Sequence, residues 1–483
     1  NDKVLKLSVI SGKEKTYQAW NGVPLSYLDD DNLRTYNSYS YDNETDNYWQ
    51  DHYMLHYSKQ FANSGMFNLG LHFTHGEGYY EQYKNGQDFT DYGLNNVIVG
   101  SDTITETDLI RRKWLDNDFY GAVFSYNNNH NKLDYTIGGG WNTYDGRHYG
   151  VVRWAEYASN SQIDHIYYDN DGIKTDFNIF AKGLYKLNDD VTVYADLQNR
   201  QIDYSFLGKD ENGAARNDTV NFNFFNPKFG AYYQIDNKNS AFASFAIANR
   251  EPNRSDFVES SPNSRPLHET LYDTEVGYKI QGSNFTFSAT AYYMIYENQL
   301  ILTGKINDVG AYTRENVDYS ERKGIELEAG IKISSKLNWS TNATFSKNNI
   351  AHYTEYVDNW DTWGQESKSY SNTSIAFSPK MIWASKMDYQ FKDNLEVQFI
   401  SKYVDEQFID NTSSDDRKLN AYLVHHARLL WDIESKLFKL ARLSFQINNL
   451  LDEKYVNNAW VYRFKSDSYD PRPDDPYVTA NSE

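Results

Sequence analysis

The sequence predicts an all-β protein of the membrane type, a transmembrane antiparallel up-and-down β-barrel. Three observations carry this expectation. Its strands have one apolar and one polar face, its connections alternate between short and long, and it is rich in aromatic residues without any long apolar run. A helix needs about 20 consecutive apolar residues to cross a bilayer, whereas a barrel strand needs about 10, half of them polar.

The two-faced pattern is clearest in NFTFSATAYYMIYENQ, residues 284–299. Phe285, Phe287, Ala289, Ala291, Tyr293 and Ile295 share one parity, and Thr286, Ser288 and Thr290 lie on the other. Successive side chains of a strand point to opposite faces. Further on, Ile325, Leu327, Ala329, Ile331 and Ile333 oppose Glu326, Glu328 and Lys332, while Leu337, Trp339, Ala343 and Phe345 oppose Asn338, Ser340, Asn342 and Thr344. Charge confined to one parity is costly against lipid and cheap in a water-filled lumen. The apolar parity is therefore expected to face out.

About 17 strands follow one another along the chain. Short connections rich in Asn, Asp, Gly and Ser, the residues tight turns need, are expected near 63–65, 127–131, 188–190, 236–239, 281–283, 334–336, 392–394 and 434–436. Long ones fall between them, at 21–48, 80–109, 145–171, 207–219, 251–269, 303–310, 351–378 and 408–417. Strands at 190–206, 221–236, 319–333 and 419–432 exceed the usual globular length of about 5–6 residues. A soluble propeller would show a signature recurring about every 40–50 residues, and none is present. Tight turns at the periplasmic end and long loops outside are the barrel arrangement.

Composition narrows the function. With 47 basic and 67 acidic residues the net charge is −20, which disfavours nucleic acid as a partner, since phosphate binding needs a basic surface. The 42 tyrosines suit a lipid–water boundary, where one end of the ring is wet and the other apolar. The absence of Cys excludes disulfides and thiolate metal sites. His72 and His75 point to opposite faces, as do His425 and His426, and His52 and His56 lie about 13 Å apart on a strand. No metal, cofactor or catalytic constellation is expected, and the chain does not read as an enzyme.

Five stretches, in order and spacing, point to one family. They are FNPKFGAYY (225–233), SFAIANREPNRSDFVE (244–259), RPLHETLYDTEVGYK (265–279), RENVDYSERKGIELEAG (314–330) and FQINNLLDEKYVNNAW (445–460). Together they resemble the barrel domain of TonB-dependent outer-membrane receptors, in the form common among Bacteroidetes. The resemblance implies a barrel of about 22 strands around a plug. Residues 1–483 would then be strands 5 to 21, with the N-terminal plug, the first strands and the closing strand outside this range. It also implies residence in the outer membrane of a Gram-negative bacterium, coupling to TonB through the plug, and active uptake of a scarce large ligand. That ligand would be an iron–siderophore complex, haem or cobalamin, with a surface lipoprotein as a further partner. A passive porin, or a receptor-like barrel serving as an adhesin or assembly component, are the alternatives.

Candidate contact residues follow from position. Arg250 and Arg254 flank Pro252 at the end of an outward-running strand, where guanidinium groups suit an anionic ligand or the plug, or pair with a carboxylate such as Glu275. The stretch 352–370 carries Tyr353, Tyr356, Trp360 and Trp363, rigid rings that serve either as ligand-contact surface or as surface packing. The acidic segment 466–479 reads as the last extracellular loop.

Overall fold

The computed structural model describes residues 2–62, 64–209, 215–258, 265–306, 312–433, 438, 441–473 and 475–479. The described residues form a sheet of 19 strands, antiparallel except where Phe464–Lys465 joins it in parallel, with two small separate hairpins at Val97–Val99 with Asp102–Ile104 and at Gln407–Phe408 with Lys418–Leu419. The chain divides into two compact units, one of Asn1–Leu184 with Asp196–Asn226 and the other of Tyr185–Ala195 with Pro227–Glu483.

The first unit runs as a meander through β1 (Lys3–Tyr17), β2 (Thr45–Gln60), β3 (Met66–Asp88), β4 (Glu106–His130), β5 (Leu133–Ala155) and β6 (His165–Lys186). Strands β7 (Val191–Lys209) and β8 (Ala215–Gln234) contribute to both units. Register sorts the side chains by polarity. Leu7, Leu55, Leu71, Ala122 and Trp141 sit opposite one another across five strands. A rung on the other face, three positions along, holds Ser58, Asn68 and Ser125, bonded side chain to side chain at 2.8 and 3.3 Å. A slip of one residue would exchange these faces.

The second unit continues through β9 (Asn239–Arg250), β10 (Glu269–Gln281), β11 (Phe285–Ile306), β12 (Tyr312–Lys332) and β13 (Leu337–Asn359). It then runs through β14 (Gly364–Ser374), β15 (Met381–Lys392), β16 (Leu395–Val404), β17 (Tyr422–Ile433), β18 (Ala441–Ile447) and the short β19 (Phe464–Lys465). Tyr278, Ala289, Leu327, Ala343, Trp383, Tyr403 and Leu423 form one apolar rung across seven strands. The adjoining rung places Lys279, Ser288, Glu328 and Asn342 together, and the Ser288 hydroxyl donates to Glu328 at 3.2 Å.

The apolar rungs have no core behind them. On interior strands, Val276 is 56% exposed, Ile325 49% and Phe285 46%. Such a band is stable only when something other than water covers it, and lipid is that phase. The two buried apolar clusters among the described residues lie elsewhere. Phe89, Tyr92, Leu94, Leu109 and Val152 form one in the first unit, and Ile301, Val317, Ile350, Tyr353 and Ile375 form one in the second. Both lie toward the long connections.

The expected alternation of connections is present in the described residues, and the meander accounts for every strand of the sheet except β14 and β19. The expected boundaries need correction at one end. Connections expected at 80–109 and 145–171 are only 89–105 and 156–164, because β3, β4, β5 and β6 run on past the apolar rungs. The stretch 352–370 is likewise a ribbon of paired strands, with Asn349 opposite Ser374 and Asn359 opposite Gly364. Beyond lipid no face has to be apolar, so period two vanishes from the sequence while the backbone ladder persists. The connections expected at 207–219 and 303–310, and the turn at 434–436, fall wholly or partly outside the described residues.

Replacing Ala291 by Arg, midway along the apolar face opposite Val276 and Ile325, is expected to cost about 2–4 kcal/mol near the midplane, whereas Thr290→Arg on the polar face should cost far less. Refolding into lipid vesicles against urea measures both. Equal losses would contradict the assignment of faces.

Candidate functional site

In the second unit the long-connection end is built from three pieces. The upper halves of β13 and β14 form a projecting arm, the segment 405–421 braces its base, and the segment 454–469 crosses it as a strap. Each is held by polar or stacked contacts, as expected where lipid no longer rewards a purely apolar face.

The brace is buried. Asp410, Asn411 and Arg417 are 3%, 0% and 5% exposed. Arg417 Nε donates to Asp410 Oδ2 at 2.6 Å. Asn411 Nδ2 donates to the Leu302 carbonyl at 2.6 Å and Asn411 Oδ1 accepts from the Ala376 N–H at 2.9 Å, so one amide joins β11 to the foot of the arm. Unpaired, any of these groups would carry a desolvation penalty.

The strap begins at the Tyr312 hydroxyl, whose single proton is shared between Asn458 Oδ1, at 2.6 Å, and the Ala459 carbonyl. The Val461 N–H then donates to the Gly304 carbonyl at 2.9 Å. At the arm, β19 pairs in parallel with β13, Asp358 opposite Phe464 and Asn359 opposite Lys465. Arg463 Nη1 donates to both Glu355 carboxylate oxygens at 2.8 Å, and the Tyr370 hydroxyl donates to the same carboxylate at 3.0 Å. The Asp361 carboxylate at the arm tip accepts the N–H groups of Asp467 at 2.6 Å and Ser468 at 3.0 Å. The Trp360 ring lies on Phe464 with centroids 3.9 Å apart and planes 8° from parallel, and Tyr469 flanks it at 6.4 Å.

These contacts place the candidate rings individually. Tyr353 is buried at 6% exposure in the apolar cluster, so its ring lies inside the arm. Trp360 is covered on one face by the strap. Tyr356 is 50% exposed and Trp363 is 91% exposed at the arm's tip. Trp363 has φ 54°, the left-handed region that a bulky residue rarely occupies. Of the two arginines, Arg250 pairs through Nε with Glu269 Oε1 at 2.9 Å. Its partner is thus its direct cross-strand neighbour and not Glu275. Arg254 opens the short helix Arg254–Val258. Tyr353, buried in its cluster, does not share a contact surface with the exposed rings of Tyr356 and Trp363.

Sequence reasoning missed Glu315, Glu355 and Arg463. Burial pushes the Glu315 carboxyl up to about 7; nearby Glu355 adds to the rise, while a hydrogen bond from Tyr353 and the charge of Lys305 oppose it. Burial also raises the Tyr353 hydroxyl above its ordinary value, reinforced by Glu315, Asp410 and Glu355. The only sequence trace of the strap contact is the alternation Tyr462–Arg463–Phe464–Lys465, which fits a strand edge.

The first unit has a smaller counterpart. Glu81, 3% exposed, accepts from Tyr41 at 2.9 Å, Asn43 at 2.6 Å and Arg112 at 2.6 Å. One carboxylate thereby fastens the connection 18–44 to β3 and β4.

A wall of two-faced strands with an uncovered apolar band and anchored loops at one end defines an integral outer-membrane β-protein. Comparison supplies the family. A family model described as TonB dependent receptor-like, beta-barrel, matches residues 8–450, and the chain belongs to that family, which resides in the Gram-negative outer membrane and comprises receptors and transporters, not enzymes. A search of curated proteins finds no match. Among solved structures, the ferric-catecholate import receptor Fiu from K12 E. coli, in its closed form, has a TM-score of 0.69 at 15% identity, over 95% of this chain and 69% of its own. The siderophore receptor PiuA from Acinetobacter baumannii gives 0.68 at 13%, over 95% and 69%. The ferric citrate transporter FecA in its unliganded form gives 0.68 at 14%, over 93% of this chain but only 63% of its own. The likeness at this identity is one of fold.

Arg463→Met should free the strap, because removing one partner strands the Glu355 carboxylate in a largely buried place. The expected local cost is about 3 kcal/mol, the low end for a buried pair that loses one member. It would be read as faster amide exchange over 458–469, with little change in β9–β12.

Glu315 sets a pH dependence. Its folded pKa of about 7 lies above the ordinary 4.5, so the folded arm holds a proton that the opened arm releases. Arm stability is therefore greatest below about pH 4.5 and falls as pH rises toward 7, by about 3 kcal/mol. Amide exchange over 349–374, corrected for intrinsic rates, should show this slope, and Glu315→Gln should flatten it.

Proposed function

We propose that this protein is a TonB-dependent uptake receptor that captures a scarce, large ligand, such as an iron chelate, haem or cobalamin, at its long-connection end. That end faces the cell exterior. The family match carries the uptake reading, and the printed functions of the similar structures, import of ferric catecholate, siderophore and ferric citrate, favour an iron chelate. Further strands pair with the outer edges of β1 and β18, whose partners among the described residues are β2 and β17 respectively, and a plug coupled to TonB fills the lumen. An open edge in lipid would leave a row of backbone groups unpaired. A surface lipoprotein is a further partner on this reading.

Trp363 is the observation that best supports a capture surface. A bulky ring held almost fully exposed on left-handed backbone costs about 1–3 kcal/mol, and such strain persists where the surrounding structure enforces it. Tyr356, on the same arm, adds a second exposed ring, and Trp360 positions the tip by stacking on the strap. Arg254 and Arg250 belong to the loop base, where Arg250 orients Glu269, which in turn accepts the Leu300 N–H at 3.0 Å.

Replacing Tyr356 and Trp363 together by Ala should weaken whole-cell ligand binding roughly tenfold to a hundredfold, about 1.4–2.8 kcal/mol, with the wall assembled normally. Deleting TonB should abolish accumulation of the ligand and leave surface binding intact. Accumulation that ignores TonB would restore the passive-pore alternative, and unchanged binding in the double variant would make the rings mere surface.

A further inference from the structure

On the outward parity of β1 to β5 the apolar band can be measured residue by residue, because polar side chains mark its edges. Along β1 that parity reads Lys3, Leu5, Leu7, Val9, Ser11, and along β2 it reads Lys59, Tyr57, Leu55, Tyr53, Asp51, the two series being direct cross-strand partners. Three apolar or aromatic residues therefore stand between the edges on each strand. Along β4 there are four, Tyr120, Ala122, Phe124 and Tyr126, between Asp118 and Asn128. The upper edge is one continuous row, Ser11, Asp51, His75, Asp118 and Asp145 lying opposite one another, with His75 Nδ1 2.9 Å from Asp118 Oδ1. Rings mark the same limits. Tyr53, Phe73 and Tyr120 form the row just inside the polar one, and at the lower limit the Tyr126 ring centroid lies 6.2 Å from those of Phe61 and Tyr135. Aromatic girdles occupy the two borders of a membrane band, and on β4 Tyr120 and Tyr126 are only six residues apart.

Strands of the second unit are taller by the same measure. On β11 six such residues, Phe285 to Ile295 on alternate positions, precede Glu297, and on β12 five, Ile325 to Ile333, follow Lys323. Alternate residues advance about 6.6 Å along a strand, and at a tilt of about 40° each covers about 5 Å of membrane depth. Five or six span about 25–30 Å, close to the usual height of an apolar band, whereas three or four span about 15–20 Å. A short band has two ways to meet a thicker bilayer. Either hydrocarbon covers the upper row, or the bilayer thins against the wall. Covering the row would place Asp51, Asp118 and Asp145 in lipid beside the lone imidazole of His75, and a carboxylate on so short a side chain cannot reach back to water as a lysine does. Thinning is the milder of the two, with a modest cost for each ångström.

We infer that the outward face of β1–β4 is a membrane-thinning surface, fitted to a hydrocarbon layer of about 15–20 Å and to lipids with short or disordered acyl chains. Snorkelling by Lys3 and Lys59 lets the lower edge yield a little, so the acidic upper row sets the level of the headgroups. The inference concerns the wall alone and does not depend on which ligand is captured. Beside this face lipids have to tilt or disorder their chains to meet the band.

This chain has no Cys, so a single nitroxide label reports a single position. The full-length receptor is reconstituted in dioleoyl phosphatidylcholine and labelled at Lys3→Cys or Ser11→Cys on β1, which leave every carboxylate of the upper row in place, or at Phe287→Cys or Ile295→Cys on β11. Each pair is eight residues apart on one strand. Both β1 labels should collide mainly with a water-soluble nickel chelate, and both β11 labels mainly with oxygen dissolved in hydrocarbon. Oxygen-dominated collisions at Lys3 or Ser11 mean that lipid covers an edge row, and they overturn the inference. Nickel-dominated collisions at both β11 positions overturn the assignment of faces, and the inference with it. Chain length gives a second readout. Amide exchange over 45–60 should be slowest in short-chain phosphatidylcholine and quicken as the chains lengthen. The combined variant Asp51→Leu, His75→Leu, Asp118→Leu and Asp145→Leu adds an apolar row and should move the slowest exchange to longer chains. A variant whose minimum stays in place overturns the inference. So does wild-type exchange that ignores chain length or is slowest in the longest chains, and that arm decides even where the variant fails to assemble.

Discussion

Within a bilayer no water is available to satisfy a backbone N–H or C=O, and every other feature of this chain is subordinate to that fact. The hydrogen bonds must come from neighbouring strands, so the strands are long and antiparallel, with register shifts only toward their ends. Register then decides composition, because cross-strand neighbours share a face. The rung from Tyr278 to Leu423 is apolar throughout, whereas Lys279, Ser288, Glu328 and Asn342 stand together on the other side. A charge is tolerated at Glu328 only because the ladder keeps its rung turned away from lipid.

Where the lipid ends, the ladder continues but its selection rule changes. Beyond the apolar rungs both faces meet water or protein, and stability comes from local devices: a fully buried Asn411 bridging two elements, a bidentate Arg463–Glu355 pair, a Trp360–Phe464 stack. Ordinary buried cores also reappear there, around Phe89 and around Ile350. The wall borrows its apolar phase from the membrane, and the loop end has to build its own.

This division explains what the sequence made legible. Strand existence, face assignment and the short turns were readable at residues such as Phe285–Thr290, because lipid imposes period two and tight turns demand particular residues. Strand ends were not, since the extensions of β3 to β6 carry mixed side chains with no imposed face. The arm 349–374 looked like a loop for the same reason. In the candidate site, the exposed positions of Tyr356 and Trp363 were within reach of the sequence, but the burial of Tyr353 and the capture of Trp360 by the strap were not. The first depends on Ile301 and Val317 from the two preceding strands, the second on Phe464, more than a hundred residues away, and the pairing of Arg463 with Glu355 leaves no local pattern in either segment.

Fold likeness and ligand chemistry separate at the same boundary. The strands that align with Fiu, PiuA and FecA are governed by lipid, a solvent all such proteins share, so their agreement at 13–15% identity reflects the common constraint. Nothing in that constraint reaches the loop carboxylates. Charge at Asp29 or Asp416 is free to follow the solute, because these side chains are exposed and stand outside the apolar rungs. The same reasoning applies to Trp363, whose left-handed backbone gains nothing for the wall. The exposed rings on the arm of the second unit are thus the part of this chain least determined by its membrane.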